Sequence, residues 1–197
     1  MIKAIIFDCF GVLYPQATGN FFERHKPAFN DNLSTLDKIN LEIDSGQIIR
    51  VDFFKKLEEI TGIPADKIRN EIDSQLVASQ ELIMLIKKLK QNYKIGLLSN
   101  AGREEIEILY KDRLENLFDS MTVSYEAGMT KPNPEIFLLS AQRLRVEPHE
   151  CIFVDDSMTN IEIAKKIKME TILYNNFDGF KKDLTLKFNK ITKNRGL

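Results

Sequence analysis

Asp8, Ser99, Asn100, Lys131, Asp155 and Asp156 are far apart along this chain, yet most of them occupy equivalent places in its pattern. Three short apolar runs each end in reactive groups: "IKAIIF" delivers Asp8, "KIGLLSN" ends in Ser99 and Asn100, and "CIFVDDS" carries Asp155 and Asp156. Carboxylates that converge without a cation repel one another and raise at least one pKa. A hard divalent ion relieves that repulsion, and Mg²⁺ takes a few carboxylate oxygens while keeping positions open for a substrate phosphate. Lys131, in "GMTKPNPEIF", adds a fixed positive charge suited to a carboxylate or phosphate oxygen. Acids, hydroxyl, amide, lysine and metal are together what phosphoryl transfer to an aspartate requires.

Such groups meet only if the runs are neighbouring strands of a parallel sheet, whose carboxyl ends share one edge where ligands bind. Continuous branched apolar runs are the pattern of strands buried on both faces. "MTVS" and "ETILY" are two further strand candidates. Helical patterns lie between: Asn133 then Pro134 reads as cap and first helical residue, Ser79 precedes "ELIMLIKKLKQN", and Ser157 or Asn160 starts "IEIAKKIKM". The alternation predicts an α/β fold with right-handed crossovers. Residues 15–78 differ, offering helices and no strand: "LSTLDKINLEIDSG" from a Ser34 cap to a Gly46 stop, "VDFFKKLEEITG" ending at Gly62, and a helix opened by Pro64.

In order, "IIFDCFGVL", "LLSN", "KPNPEIF" and "FVDDS" resemble the four motifs of the haloacid dehalogenase-like hydrolase superfamily. The resemblance is closer to the branch containing the epoxide hydrolase amino-terminal phosphatase and sugar-1-phosphate phosphatases than to the haloacid dehalogenases themselves. The resemblance implies a Rossmann-like parallel-sheet core of residues 1–14 and 79–197, with a small helical cap, 15–78, inserted after the first strand. It implies that Asp8 attacks phosphorus, that Ser99 and Lys131 hold phosphoryl oxygens, and that Gly11 and Asn100 line the pocket. Asp8, Asp156 and the main-chain carbonyl of Phe10 are the implied Mg²⁺ ligands, with Asp155 assisting. Asp44, Gln47 and Arg50 of the cap segment are placed near substrate.

Phe10 stands where most phosphatases of that superfamily have a second aspartate, and a phenyl ring neither gives nor takes a proton. Its absence predicts slow turnover, or preference for a good leaving group, because acid-base help is typically worth about 10²- to 10⁴-fold. Haloacid dehalogenases also lack that aspartate but lack the acid pair as well, so Asp155 and Asp156 favour a metal-dependent phosphatase. Carbon attack by Asp8, and a phosphate-binding protein disabled by Phe10, are the alternatives.

A chain of 197 residues suits one domain with a modest insertion. With 28 basic residues against 29 acidic ones, no overall field favours nucleic acid or an anionic membrane. No apolar run approaches spanning length, and "MIKAIIF" meets a carboxylate too early for a secretory core. Cys9 and Cys151, among apolar neighbours, read as reduced core residues, with Cys9 directed away from Asp8 by strand alternation. His25 and His149 are expected at the surface, and "KKDLTLKFNKITKNRGL" is expected to be a solvated terminal segment. The expectation is a cytoplasmic monomer or homodimer acting on a small phosphorylated metabolite.

Overall fold

The computed structural model describes residues 1–29 and 33–193. Five strands, β1 (Ala4–Phe7), β2 (Lys94–Ser99), β3 (Ser120–Val123), β4 (Cys151–Asp155) and β5 (Glu170–Leu173), form one sheet in the order β3-β2-β1-β4-β5. Every pairing is parallel. β1 is central, and Phe7 is in register with Leu97 on one side and Val154 on the other. The next residue, Asp8, therefore emerges beside Asp155 and one position short of Ser99.

The helices are α1 (Ala17–Arg24), α2 (Leu33–Asp44), α3 (Arg50–Thr61), α4 (Ala65–Asp73), α5 (Gln80–Leu89), α6 (Arg103–Lys111), α7 (Ser124–Ala127), α8 (Pro134–Arg143), α9 (Met158–Lys166) and α10 (Phe177–Lys193). Alternation along β1 sends Ile5, Phe7 and Cys9 into one apolar layer with Leu82 and Ile86 of α5. Ala4 and Ile6 enter the opposite layer with Phe137 of α8 and Ile161 of α9. Each fully buried side chain of this size contributes about 1.5–3 kcal/mol relative to an exposed one. Cys9 thus faces away from the sheet edge that Asp8 serves, as alternation predicted.

Helices α1 to α4 have a separate core of Phe21, Phe53, Phe54, Leu57 and Ile68. Gly62, at φ +70°, terminates α3, and Asn133 caps α8 by accepting from the Glu135 N–H at 3.0 Å. Ser79 accepts from Leu82 N–H at 3.3 Å and caps α5 as expected.

Four local expectations change. Ser34 lies inside the first turn of α2, and Pro64 is the residue before α4 rather than its first. His25 is half-buried, 2.9 Å from the Glu71 carboxylate, because it packs on the buried Phe21 ring. The carboxyl-terminal segment, from Lys181 through Lys193, belongs to the helix α10, with Leu184 buried. Residues 194–197 of the predicted tail lie outside the described residues. Among the described residues no helix is long and apolar enough to cross a membrane.

Candidate active site

The carboxyl ends of β1 and β4 bring Asp8 and Asp155 together, and the loop before α8 places Lys131 between them. Lys131 Nζ lies 2.8 Å from Asp8 Oδ1 and 2.8 Å from Asp155 Oδ2, with all three side chains almost wholly buried. The Lys131 backbone is clamped as well: its N–H donates to Asn100 Oδ1 at 2.7 Å, and its carbonyl accepts from Asn100 Nδ2 at 2.9 Å. Asn100, at the end of β2, therefore holds the lysine in place. Burial by itself pulls the Lys131 pKa down, but the two carboxylates outweigh it and keep the ammonium charged.

Asp155 is surrounded by donors. Besides Lys131, Ser157 N–H donates at 2.8 Å, and Asn160 Nδ2 donates to its two oxygens at 3.0 and 3.1 Å. Asp156 is only half-buried and faces Gly11. Gly11 has φ +93°, and a β-carbon there would lie 2.1 Å from Asp156 Oδ2, so only glycine leaves room for that carboxylate. Gln16, whose position carries no motif in the sequence, donates to the Phe10 carbonyl at 3.2 Å and to the Asp156 carboxylate.

Oxygens of Asp8, Asp155 and Asp156 lie within 4.8 Å of one another. Three carboxylates against one ammonium leave the cluster short of positive charge. Burial, with the Asp155 charge adding to it, raises Asp8 well above the usual carboxylate range even though Lys131 pulls it down. Asp156 is raised by burial and by Asp155. An all-oxygen donor set with excess negative charge fits a hard divalent cation, and the Gln16 amide hydrogen-bonds both the Phe10 carbonyl and the Asp156 carboxylate. The Cys9 thiol is pushed far up by burial and by Asp8, which removes it as a nucleophile.

A cavity of about 740 Å³ opens over this cluster, between the sheet edge and helices α1 to α4. Asp8, Phe10, Asn100, Lys131 and Asp156 line its floor, and Asp44 and Arg50 its far wall. Ser99 and Asp155 are buried beneath the lining, and Gly11 and Gln47 are not part of it. The Ser99 side chain is buried, its Oγ 3.4 Å from the Asn100 carbonyl. Arg50 is paired with Asp73 and stacks over Phe54 at 4.9 Å, so the cap, not the phosphate floor, holds its charge. Asp44 is pushed up to about 7, first by burial and then by the Glu105 carboxylate.

Residues 2–168 match the family described as haloacid dehalogenase-like hydrolase. D-ribitol-5-phosphate phosphatase of Bacteroides thetaiotaomicron is 30% identical over 96% of this chain and 100% of its own length. Glyceraldehyde 3-phosphate phosphatase of Methanopyrus kandleri is 24% identical over 87% of this chain and 83% of its own. A crystal structure of a haloacid dehalogenase-family enzyme from Bacteroides thetaiotaomicron, in complex with magnesium and inorganic phosphate, superposes with a TM-score of 0.69 at 28% identity, covering 87% of this chain and 93% of that one.

Proposed function

This chain belongs to the haloacid dehalogenase-like hydrolases, and from that premise we propose that it is a Mg²⁺-dependent phosphatase of a small phosphorylated metabolite, working through an aspartyl phosphate on Asp8. The observation that carries the reading is the buried Asp8–Lys131–Asp155 triplet, with Asp156 alongside, at the floor of a cavity. Residues 1–14 and 79–197 are the catalytic core, and residues 15–78 the cap that selects the substrate. The named phosphatase relatives, which act on a sugar-alcohol phosphate and a triose phosphate, make such esters the first to screen.

Cys9 N–H donates to Asp8 Oδ1 at 2.7 Å, the same oxygen that Lys131 holds, so Oδ2 is the oxygen free to attack phosphorus. Lys131 neutralises charge that builds on the phosphoryl oxygens, and Asn100 prevents it from swinging away. Ser99 supports the phosphate from beneath the floor. Asp8, Asp156 and the Phe10 carbonyl would hold Mg²⁺ with Asp155 behind them, and when bound the ion supplies the positive charge that the carboxylate cluster lacks. Asp155, with its oxygens engaged by Lys131, Ser157 and Asn160, mainly fixes the lysine and the start of α9.

The test is a screen of phosphorylated metabolites with and without Mg²⁺, on wild type and Asp8→Asn. Phosphate release that needs the metal and disappears in the variant is expected. Equal release by both proteins, or release indifferent to metal, overturns the reading.

A further inference from the structure

Phe10 gives the departing oxygen no proton, so efficient turnover of an ester with a poor leaving group needs a donor from elsewhere in the cavity. Asp44 closes α2, and that end is pressed against the core: Ser124 Oγ donates to the Asp44 carbonyl, and a β-carbon on Gly102 would lie 3.1 Å from the Ile43 carbonyl. Gly46, at φ +73°, turns the chain away over Tyr125. The Asp44 side chain is thereby held on the wall of the cavity whose floor is Asp8 and Lys131.

Four other acids on that wall are already committed. Glu104 accepts from Arg50 N–H at 2.6 Å, Glu105 from Gly102 N–H at 2.9 Å and Asp112 from Tyr14 Oη at 2.8 Å, while Asp73 is paired with Arg50. Glu107 is exposed to solvent. Among the described residues, the Asp44 carboxyl group makes no hydrogen bond or ion pair.

We propose that Asp44 is the acid-base residue of this site, supplied by the cap in place of the aspartate that Phe10 displaces. The inference rests on the phosphatase reading above. As Asp8 Oδ2 bonds to phosphorus and the ester P–O bond breaks, the Asp44 proton passes to the departing oxygen, leaving an alcohol and an Asp44 carboxylate. That carboxylate then takes a proton from water attacking the aspartyl phosphate, the Asp8–phosphorus bond breaks, and inorganic phosphate leaves with Asp44 protonated again. The charged groups facing Asp44 are Glu105 of α6 and Lys131 of the loop before α8, and with burial they hold it near neutrality, where a group serves as both acid and base.

Wild type, Asp44→Asn and Asp44→Glu are compared with saturating Mg²⁺ on glycerol 3-phosphate, whose alkoxide leaves poorly, and on p-nitrophenyl phosphate, whose phenolate leaves without help. Asp44→Asn is expected to lower kcat/KM on the alkyl ester by about 10²- to 10⁴-fold while changing the aryl ester by no more than about threefold. Wild type is expected to show an alkaline limb near pH 7 on the alkyl ester, Asp44→Asn to abolish it, and Asp44→Glu to recover part of the rate. Equal losses on both esters, the mark of a purely structural role, overturn the assignment, as does no loss on either. If wild type hydrolyses neither these two esters nor any member of the metabolite screen, the phosphatase reading itself falls and Asp44 with it. Turnover by wild type without the split between esters removes Asp44 alone.

Discussion

Lys131 touches Asp8 and Asp155 at 2.8 Å each while the Asn100 amide clamps its backbone, so one lysine is positioned by three strand ends at once. Gly11 acts on the other side of the site by leaving space. In Gly11→Ala the new methyl group would coincide with the Asp156 carboxylate in a backbone conformation that alanine resists. The expected outcome is a 10- to 100-fold weaker Mg²⁺ affinity, about the loss seen when the support of a metal ligand is removed. Isothermal titration with Mg²⁺ measures it, and unchanged affinity would remove Asp156 from the ligand set. The acids, Ser99 and Asn100 were legible because strand ends in a parallel sheet converge by rule, and Lys131 because a fixed cation just before a capped helix suits such a cluster. Gln16, Asn160 and the separate standing of Asp44 were not, since each depends on which way a side chain turns in a loop or helix end. Asn160 lies five residues after the strand-end Asp155, and its reading as a helix start came close without reaching the bond it makes.

At the level of elements, α10 shows a charge pattern hiding a packing pattern. The segment is basic enough to read as solvated, yet Phe177, Phe180, Leu184 and Phe188 recur at helical spacing, and the stripe packs onto the core. Phe180 meets the edge of Phe7 with ring centroids 5.9 Å apart, and Phe188 stacks on Tyr93 at 5.1 Å. Phe180→Ala is therefore expected to cost about 3–5 kcal/mol, as a cavity left by a buried aromatic does. Urea denaturation reads it as a lower midpoint at unchanged slope. A loss below about 0.5 kcal/mol would mean that α10 is a surface appendage, since substitutions at exposed positions stay within that range. Because Phe7 immediately precedes Asp8, the helix also supports the strand that carries Asp8 from behind.

For the molecule as a whole, the site is a stored electrostatic cost that ligand binding releases. Asp8, Asp44, Glu105 and Asp156 all have folded pKa values raised mainly by burial, Asp44 to about 7. A carboxyl group raised on folding binds its proton more tightly in the native state, so its contribution is fully present below the unfolded value and is lost as pH rises through the folded one. The metal-free protein is accordingly expected to lose Tm between about pH 4 and pH 7, the window set by the ordinary aspartate value of 3.8 and the shifted Asp44. Mg²⁺ at a hundredfold excess over its Kd should return about 2.7 kcal/mol at pH 8, equivalent to roughly 5–10 °C in a chain of this size, and less at pH 5, where protons compete for the ligands. Differential scanning calorimetry at the two pH values measures both. A Tm that rises steadily toward pH 8 without metal would contradict the charge balance derived for the site. The five strands, the parallel sheet and the convergence of Asp8 and Asp155 were determined by the sequence itself, because apolar period and strand-end chemistry are local properties that topology then gathers. That Ser99 lies under the cavity floor, that Asn100 clamps the lysine, and that Asp44, unlike Asp73, Glu104, Glu105 and Asp112, keeps an uncommitted carboxyl group were decided only by the tertiary structure, because burial and hydrogen-bond partners depend on which distant surfaces meet.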